Sequence, residues 1–395
     1  MIVIGVTGTK GKSTTSNLIA KTLQQLGEPV GLTSTVNFIV GKNEWLNDKK
    51  MTMLGRFALQ KLLRDMVASG ARYAIIETSS EGIAQYRHSG IEYDVCVFTN
   101  LSPEHIESHG SFENYRAAKE LLFKHLTRFP AKTIKGTTIP KIIVTNADDE
   151  ESARILQYNA DKKTTYGMSA GDVRMSDVNS EMRGVSFQLN QTPFQLQLIG
   201  DFNAANAAAA ATTIQALGFD LQKIAEALAK VPPVPGRQEF INAGQNFLVM
   251  VDYAYDPTAQ TKLYELISQF QKNRIIHVTG SAGGGRDKSR RQTLGKLAGE
   301  KADVVIVTNE DPYDEDPQVI IDAVASGARG SGKTDGVNLF KILDRGEALH
   351  KALSLAHEGD LVLITGKGAE QAICVANGKK IRWDDRRVVR DYFKK

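Results

Sequence analysis

The run Val6-Thr7-Gly8-Thr9-Lys10-Gly11-Lys12-Ser13 joins a glycine-rich turn to a lysine and a hydroxyl. That combination suits the phosphates of a nucleotide. Gly8 and Gly11 let backbone N–H groups converge on phosphate oxygens, and a helix opening at Ser13 adds its dipole. Lys12 is placed to reach the β- and γ-phosphates, and Ser13 to hold Mg2+. The first glycine of the usual phosphate-loop pattern is out of register: Val6 stands in its place and Gly5 lies one residue earlier.

Such a loop needs a strand before it and a helix behind it, and the flanking residues predict both. Met1–Val6 reads as a buried strand and Ser13–Leu26 as a helix ended by Gly27. Further apolar runs at Tyr73–Glu77, Val95–Thr99 and Lys141–Thr145 read as strands, and Tyr115–Leu126 as a helix. This rhythm predicts a mainly parallel sheet covered by helices. From Thr164 to Leu198 polar and apolar residues alternate, which reads as a small antiparallel hairpin region inserted before two helices, Asn203–Leu217 and Leu221–Val231. Pro232-Pro233-Val234-Pro235-Gly236 is the densest breaker cluster, and α/β alternation restarts after it. The expected fold is α/β: a phosphate-loop ATPase domain over residues 1–236 and a Rossmann-like α/β domain over 237–395.

Composition excludes several classes. With 395 residues, 42% hydrophobic and 24% charged, the chain has globular composition, without the bias of a disordered tail or a disulfide scaffold. Its apolar runs fall well short of the roughly 20 residues needed to span a bilayer. The N-terminus has neither the basic region nor the cleavage site of a signal peptide. Cys96 and Cys374 sit in apolar runs and read as buried thiols in a reducing cytoplasm. The net charge of +4 comes partly from Lys379, Lys380, Arg382, Arg386, Arg387, Arg390, Lys394 and Lys395. These read as a solvated basic surface rather than a nucleic-acid patch, because no aromatic residues interleave them for base stacking.

Thr7-Gly8-Thr9-Lys10-Gly11-Lys12-Ser13 resembles the T-G-T-N-G-K-[ST] loop of the Mur ligases, ATP-dependent amide-bond ligases of cell-wall peptide assembly to which folylpolyglutamate synthases are related. Further motifs follow in family order: Glu77-Thr78-Ser79-Ser80, Thr99-Asn100-Leu101-Ser102-Pro103-Glu104-His105, Tyr115-Arg116-Ala117-Ala118-Lys119 and Asn146-Ala147-Asp148-Asp149. Gly200-Asp201-Phe202-Asn203-Ala204-Ala205-Asn206, Pro235-Gly236-Arg237, Asp252-Tyr253-Ala254, Gly284-Gly285-Arg286-Asp287-Lys288 and Gly366-Lys367-Gly368-Ala369-Glu370 complete the series. The likeness spans nearly the whole chain and is closest to the MurE type, which adds the third amino acid to UDP-N-acetylmuramoyl-L-alanyl-D-glutamate.

The resemblance implies roles. ATP phosphorylates a substrate carboxylate to an acyl phosphate, an amine attacks, and phosphate leaves; Lys12, Glu77, His105 and Lys119 carry this chemistry. Gly8, Thr9, Lys10, Gly11, Lys12, Ser13 and Thr14 bind ATP phosphates, with Asn203 and Asn206 on the adenine side and Arg237, Asp252 and Lys288 contributing from the domain junction, where closure would assemble the site. Ser13, Glu77, His105 and a carbamylated Lys119 hold Mg2+. Thr52, Ser79, Ser80, Gln85 and Arg87 bind the acceptor. Glu310, Asp311, Tyr313, Gly366 and Glu370 face the incoming amino acid.

Three departures bear on the substrates. The chain begins at the phosphate-loop strand, so the uridine-nucleotide domain is expected either from another chain or not at all, with an acceptor lacking UDP. The family's D-N-P-R selector is Glu310-Asp311-Pro312-Tyr313, and a tyrosine cannot make the bidentate salt bridge by which that arginine grips diaminopimelate. With Asp314, Glu315 and Asp316 the loop is acidic, which favours a cationic side chain or is simply a solvated acidic loop. Glu81, Tyr255 and Ala369 replace family histidines. The expected function is an ADP-forming, Mg-ATP-dependent, MurE-like peptide ligase in peptidoglycan precursor synthesis. The alternatives are a ligase with a folylpolyglutamate- or poly-γ-glutamate-type acceptor and a catalytically inactive nucleotide-binding protein.

Overall fold

The computed structural model describes residues 1–102 and 110–394. It divides into two compact units, Met1–Pro232 and Pro233–Lys395. His105 and Lys395 lie outside the described residues.

In the first unit the strands are β1 (Ile2–Thr7), β2 (Val30–Thr33), β3 (Asn37–Val40), β4 (Asn43–Leu46), β5 (Tyr73–Glu77), β6 (Val95–Phe98), β7 (Lys132–Ile134), β8 (Thr137–Ile139), β9 (Ile142–Asn146), β10 (Lys162–Gly167), β11 (Val173–Glu181), β12 (Gly184–Leu189) and β13 (Thr192–Leu196). Among the described residues one 11-stranded sheet runs β13-β12-β11-β10-β9-β6-β1-β5-β2-β3-β4. Its centre is parallel, from β10 through β9, β6, β1 and β5 to β2. β1 and β5 are buried along their whole length, as continuous apolar strands covered on both faces must be. The helix Phe202–Ala216 is buried almost all round, and its alanines let it lie close to neighbouring elements.

Two features differ from the sequence expectation. The alternating segment is not a separate insertion: β11 pairs in parallel with β10, so the β11-β12-β13 meander extends the main sheet. The β2-β3-β4 meander at the opposite edge was not foreseen, because Asn37, Asn43 and Glu44 have poor strand propensity. Buried Phe38 and Ile39 anchor β3 in the core, and polar bonds add to them. Asn37 Nδ2 donates to Glu44 Oε1 (2.7 Å), and Asn47 Nδ2 donates to the Ser34 carbonyl (2.7 Å).

The second unit contains β14 (Glu239–Phe240), β15 (Leu248–Val251), β16 (Ile275–Thr279), β17 (Val304–Thr308), β18 (Leu339–Ile342), β19 (Leu361–Ile364), β20 (Ala372–Cys374) and β21 (Lys380–Arg382). Its sheet order is β14-β15-β19-β16-β17-β18, parallel except for β14. The return of β19 between β15 and β16 creates a switch point, and the crevice beyond the carboxyl ends of such strands is where ligands bind in open α/β sheets. In the C-terminal segment Arg386 and Arg390 bind Glu239, so part of the basic tail is structural rather than solvated. Cys96 and Cys374 are free and buried. No described helix is long and apolar enough to cross a membrane.

Candidate active site

β1 delivers the phosphate loop to the carboxyl edge of the first sheet. Gly8 and Gly11 adopt φ of 146° and 81°, positions a side chain would strain. Their surroundings are also closed: a Cβ on Gly8 would lie 1.9 Å from Thr99 Oγ1, and one on Gly11 would lie 2.1 Å from Asn206 Oδ1. Gly11 caps the helix Lys12–Gln25 without a side-chain hydrogen bond, so the first helical N–H groups have no side-chain oxygen from the cap.

Residues from distant motifs clamp this loop. Thr9 N donates to the Asn100 carbonyl (2.8 Å) and Lys10 N to Asn100 Oδ1 (2.9 Å), while Thr99 Oγ1 donates to the Lys10 carbonyl (2.7 Å). Thr9 Oγ1 lies 2.9 Å from the Tyr115 hydroxyl. Lys12 Nζ folds back onto the Gly8 and Thr9 carbonyls at 3.0 and 2.9 Å, and Lys119 Nζ donates to the Gly8 carbonyl at 2.7 Å from a buried position. Asn206 Nδ2 donates to Asn203 Oδ1 (2.9 Å), and Asn203 Nδ2 to the Ile199 carbonyl (2.7 Å). Both asparagines therefore lie in the wall behind the loop.

Glu77, at the end of β5, is buried and accepts three bonds: from Ser13 Oγ (2.8 Å), Thr35 N (2.6 Å) and Thr35 Oγ1 (3.0 Å). With the Thr35 proton given to Glu77, Thr35 Oγ1 accepts from the Thr52 hydroxyl, 2.9 Å away. The structure thus brings together Ser13, Glu77 and Thr52, with Thr35 as the link. Thr35 was missed because it lies in the unforeseen edge meander. A Thr-Ser-Thr run directly after an apolar strand was the available signal.

Of the residues expected to bind the acceptor, Ser79 caps a short helix, accepting from Gly82 N (3.1 Å). Ser80 and Thr14 are buried, Gln85 is exposed, and Arg87 donates from Nη1 to the Met53 carbonyl.

In the second unit the guanidinium of Arg237 lies over the Tyr253 ring, 4.3 Å from its centroid. Asp252 is buried rather than a surface charge. It accepts from Gln238 N (2.8 Å) and Ala254 N (2.7 Å), and burial raises its carboxyl pKa against the opposing pull of Arg237. Lys288 is exposed, 3.6 Å from Glu315. Lys367 is fully buried and binds both Asp311 Oδ1 and Glu370 Oε2 at 2.8 Å, while Cys374 N donates to Asp311 Oδ1 (2.7 Å). Tyr313 takes a positive φ of 52°, and its ring lies against Gly284. The acidic loop is therefore not simply solvated. Asp311 is held by Lys367, Asp314 accepts from Asn377 N, Glu315 binds Arg291, and Asp316 caps a helix.

The model of the Mur ligase middle domain matches residues 6–214, and that of the Mur ligase, glutamate ligase domain matches residues 236–368. The chain belongs to the Mur ligase family. It is 40% identical over 397 residues to a UDP-N-acetylmuramyl-tripeptide synthetase of Roseiflexus sp. (strain RS-1), covering 98% of this chain and 77% of that relative. A UDP-N-acetylmuramoyl-L-alanyl-D-glutamate–2,6-diaminopimelate ligase of Geobacillus kaustophilus is 38% identical over 395 residues, with 98% and 78% covered. A solved structure of a ligase with that same substrate name superposes with a TM-score of 0.66 at 30% identity, over 100% of this chain and 78% of the other. A Mycobacterium tuberculosis folylpolyglutamate synthase shares the fold, with a TM-score of 0.67 at 16% identity over 100% and 91% of the two chains.

As a Mur ligase the chain is an ATP-dependent ligase. Beside Arg87 lies a buried pair of histidines not singled out from the sequence. The His88 and His125 rings meet edge-on with centroids 4.8 Å apart. Burial drives His88 down to about 4, aided by repulsion from His125 and Arg56. Burial also lowers His125, with Arg128 and Lys141 adding to it and the hydrogen bond to the Ile91 carbonyl opposing it. Both folded-state values lie below the unfolded one, so this stability is present above pH ~6.5 and is lost as pH falls toward about 4. Thermal midpoints measured from pH 7 to pH 4 will fall less steeply for His88→Gln than for the wild type. Equal slopes would show that the pair does not resist protonation.

Proposed function

We propose that this Mur ligase is of the MurE type: it joins an amino acid to the glutamate carboxylate of UDP-N-acetylmuramoyl-L-alanyl-D-glutamate, forming ADP and phosphate, in the cytoplasm. The observation that carries the reading is the Ser13–Glu77 contact of 2.8 Å beside the loop that holds Lys12. A hydroxyl and a buried carboxylate at the mouth of a phosphate loop fit Mg2+, which takes oxygen ligands and usually one or two carboxylates together with substrate phosphates.

A carboxylate is a poor electrophile because oxide is a poor leaving group, whereas phosphate leaves readily. Mg2+ held by Ser13 and Glu77 would neutralise phosphate charge. Lys12 exchanges its loop carbonyls for phosphate oxygens, and the backbone N–H groups of residues 8–13 cradle them. Thr35 fixes the Glu77 carboxylate, and its bond to Thr52 aligns the acceptor side with it. Arg237 adds a cation for the nucleotide, and Glu370 orients the incoming amine.

We also propose that Lys119 is carbamylated, its neutral amine adding CO2 and losing one proton, which would turn the amine on the Gly8 carbonyl into a carboxylate able to serve a second Mg2+. Lys119→Ala will lose about a hundredfold or more in rate and will recover part of it with added acetate or propionate. A plain amine function would give no such rescue. The main test is phosphate release from Mg-ATP by the purified chain, with UDP-muramoyl dipeptide and amino acids each present or omitted. Release requiring both supports the reading and dispenses with a partner chain. ATP bound but no amide product with this acceptor overturns it.

A further inference from the structure

Near the C-terminus, the consecutive residues Trp383-Asp384-Asp385-Arg386 reach separate parts of the second unit. Asp385, fully buried at the start of the helix Asp385–Tyr392, accepts from Nε and Nη2 of the equally buried Arg345, at 2.8 Å each. Trp383 Nε1 also donates to Asp385 Oδ1 (2.7 Å). The same guanidinium reaches backbone: Nη2 donates to the Thr365 carbonyl (2.8 Å) and Nη1 to the Asn309 carbonyl (3.3 Å). Those carbonyls stand directly after β19 and β17, at the edge where ligands enter such sheets.

Asp384 holds the next stretch. Its Oδ2 accepts from Gln371 Nε2 (2.9 Å), and Trp383 N donates to the Gln371 carbonyl (3.0 Å). Both Asp384 oxygens also accept from Arg386, at 3.0 and 2.7 Å. Burial pushes this carboxyl up, but Arg386 and Gln371 hold it below the usual carboxylate range, so it stays ionised. Arg386 extends to Glu239 Oε2 (3.3 Å), and the same oxygen accepts from Gly236 N (2.7 Å).

Burying such charges is costly, and well-packed apolar residues often serve stability as well. What this network adds is the fixed place of loop backbone at two segments, Gly236–Arg237 and residues 365–371. We infer that Trp383-Asp384-Asp385-Arg386 is a positioning clamp for ligation, which acts through Arg345 on residues 365–371 and through Glu239 on the Gly236–Arg237 turn. These are positioning residues, because they act through the segments that carry Arg237, Lys367 and Glu370. The inference rests on the ligase reading, though not on the identity of the acceptor.

Arg345→Lys keeps a charge opposite Asp385 but lacks the planar fork that serves a carboxylate and two carbonyls together. Glu239→Ala frees Gly236 N, and Glu239→Gln returns an oxygen to it without the charge. Val389→Ala, in the core on the same C-terminal helix, destabilises without touching the clamp. For each full-length variant, kcat and KM for ATP-dependent amide formation are measured where circular dichroism shows the chain folded. Amide hydrogen exchange is followed in residues 234–239 and 365–371.

Arg345→Lys and Glu239→Ala should lower kcat roughly tenfold to a hundredfold, as a misplaced group does. The KM for ATP should change far less, because the phosphate loop is not part of the clamp. Glu239→Gln should recover most of the loss. Exchange should speed up in 365–371 for Arg345→Lys and in 234–239 for Glu239→Ala, whereas Val389→Ala should keep nearly the wild-type kcat. A kcat that follows the thermal midpoint alike in every variant, Val389→Ala included, overturns the inference. Unaltered exchange, or Glu239→Gln no better than Glu239→Ala, overturns it too. Should Arg345→Lys fail to fold, the two Glu239 variants decide the inference. If the wild type binds ATP but forms no amide from the muramoyl dipeptide, the acceptor reading falls and the exchange rates decide the clamp.

Discussion

Lys12→Ala will lower the rate of ATP-dependent amide formation by about a thousandfold, with the fold retained. The ammonium sits 3.0 and 2.9 Å from two carbonyls of its own loop, so it is held beside the place where phosphate charge develops. Those carbonyls are weak partners compared with anionic phosphate, and exchanging one for the other is favourable. Alanine is a good helix former at this first helical position, so secondary structure is not threatened. The loop also keeps the anchors from Thr99, Asn100 and Tyr115, which do not involve this side chain. Single-turnover product formation, alongside circular dichroism and thermal unfolding, separates the outcomes. A rate within tenfold of the wild type would remove Lys12 from the chemistry.

Gly236→Ala will destabilise the second unit by about 3 kcal/mol or more and impair ligation as well. Gly236 has φ 64°, and a Cβ there would lie 2.1 Å from Ala369 N and 2.4 Å from the Gly368 carbonyl carbon. These are backbone atoms, so no rotamer change relieves the clash. The 366–370 segment would have to move, and with it Lys367, Asp311 and Glu370. Gly244→Ala is the control, because Gly244 has φ 94° and nothing lies within 4 Å of its added Cβ. It carries the left-handed backbone strain alone, about 1–2 kcal/mol. Thermal or denaturant unfolding of both variants will show the larger loss at Gly236. Equal losses would mean that backbone strain, not the close approach of the two segments, explains the effect.

Local periodicity is enough to read β1, β5 and β6 and the helices Lys12–Gln25 and Phe112–Leu126, because continuous apolar runs and breakers at their ends are short-range signals, whereas the short helix Ser80–Ala84 after β5 was not read. The loop from Thr7 to Ser13 is legible for the same reason: its glycines, lysine and serine are contiguous. Polar strands are not legible in this way. The β2-β3-β4 edge combines buried Phe38 and Ile39 with Asn37, Glu44 and Asn47, whose propensities argue against strand, and Thr35 went unnoticed with it.

The surroundings of charged residues are no more legible. Asp252 and Glu310 read as residues for the nucleotide and the incoming amino acid, and nothing in the local pattern shows that both are buried. Asp314, Glu315 and Asp316 read either as a run that favours a cationic side chain or as a solvated loop, and each has a partner on the protein. The sequence by itself determined the α/β class, the phosphate loop and the family motifs, since each is written in neighbouring residues. Only the tertiary structure decided which carboxylates are matched. Pairing such as Lys367 with Asp311, 56 residues apart, depends on how the strands are ordered in the sheet and not on any local pattern.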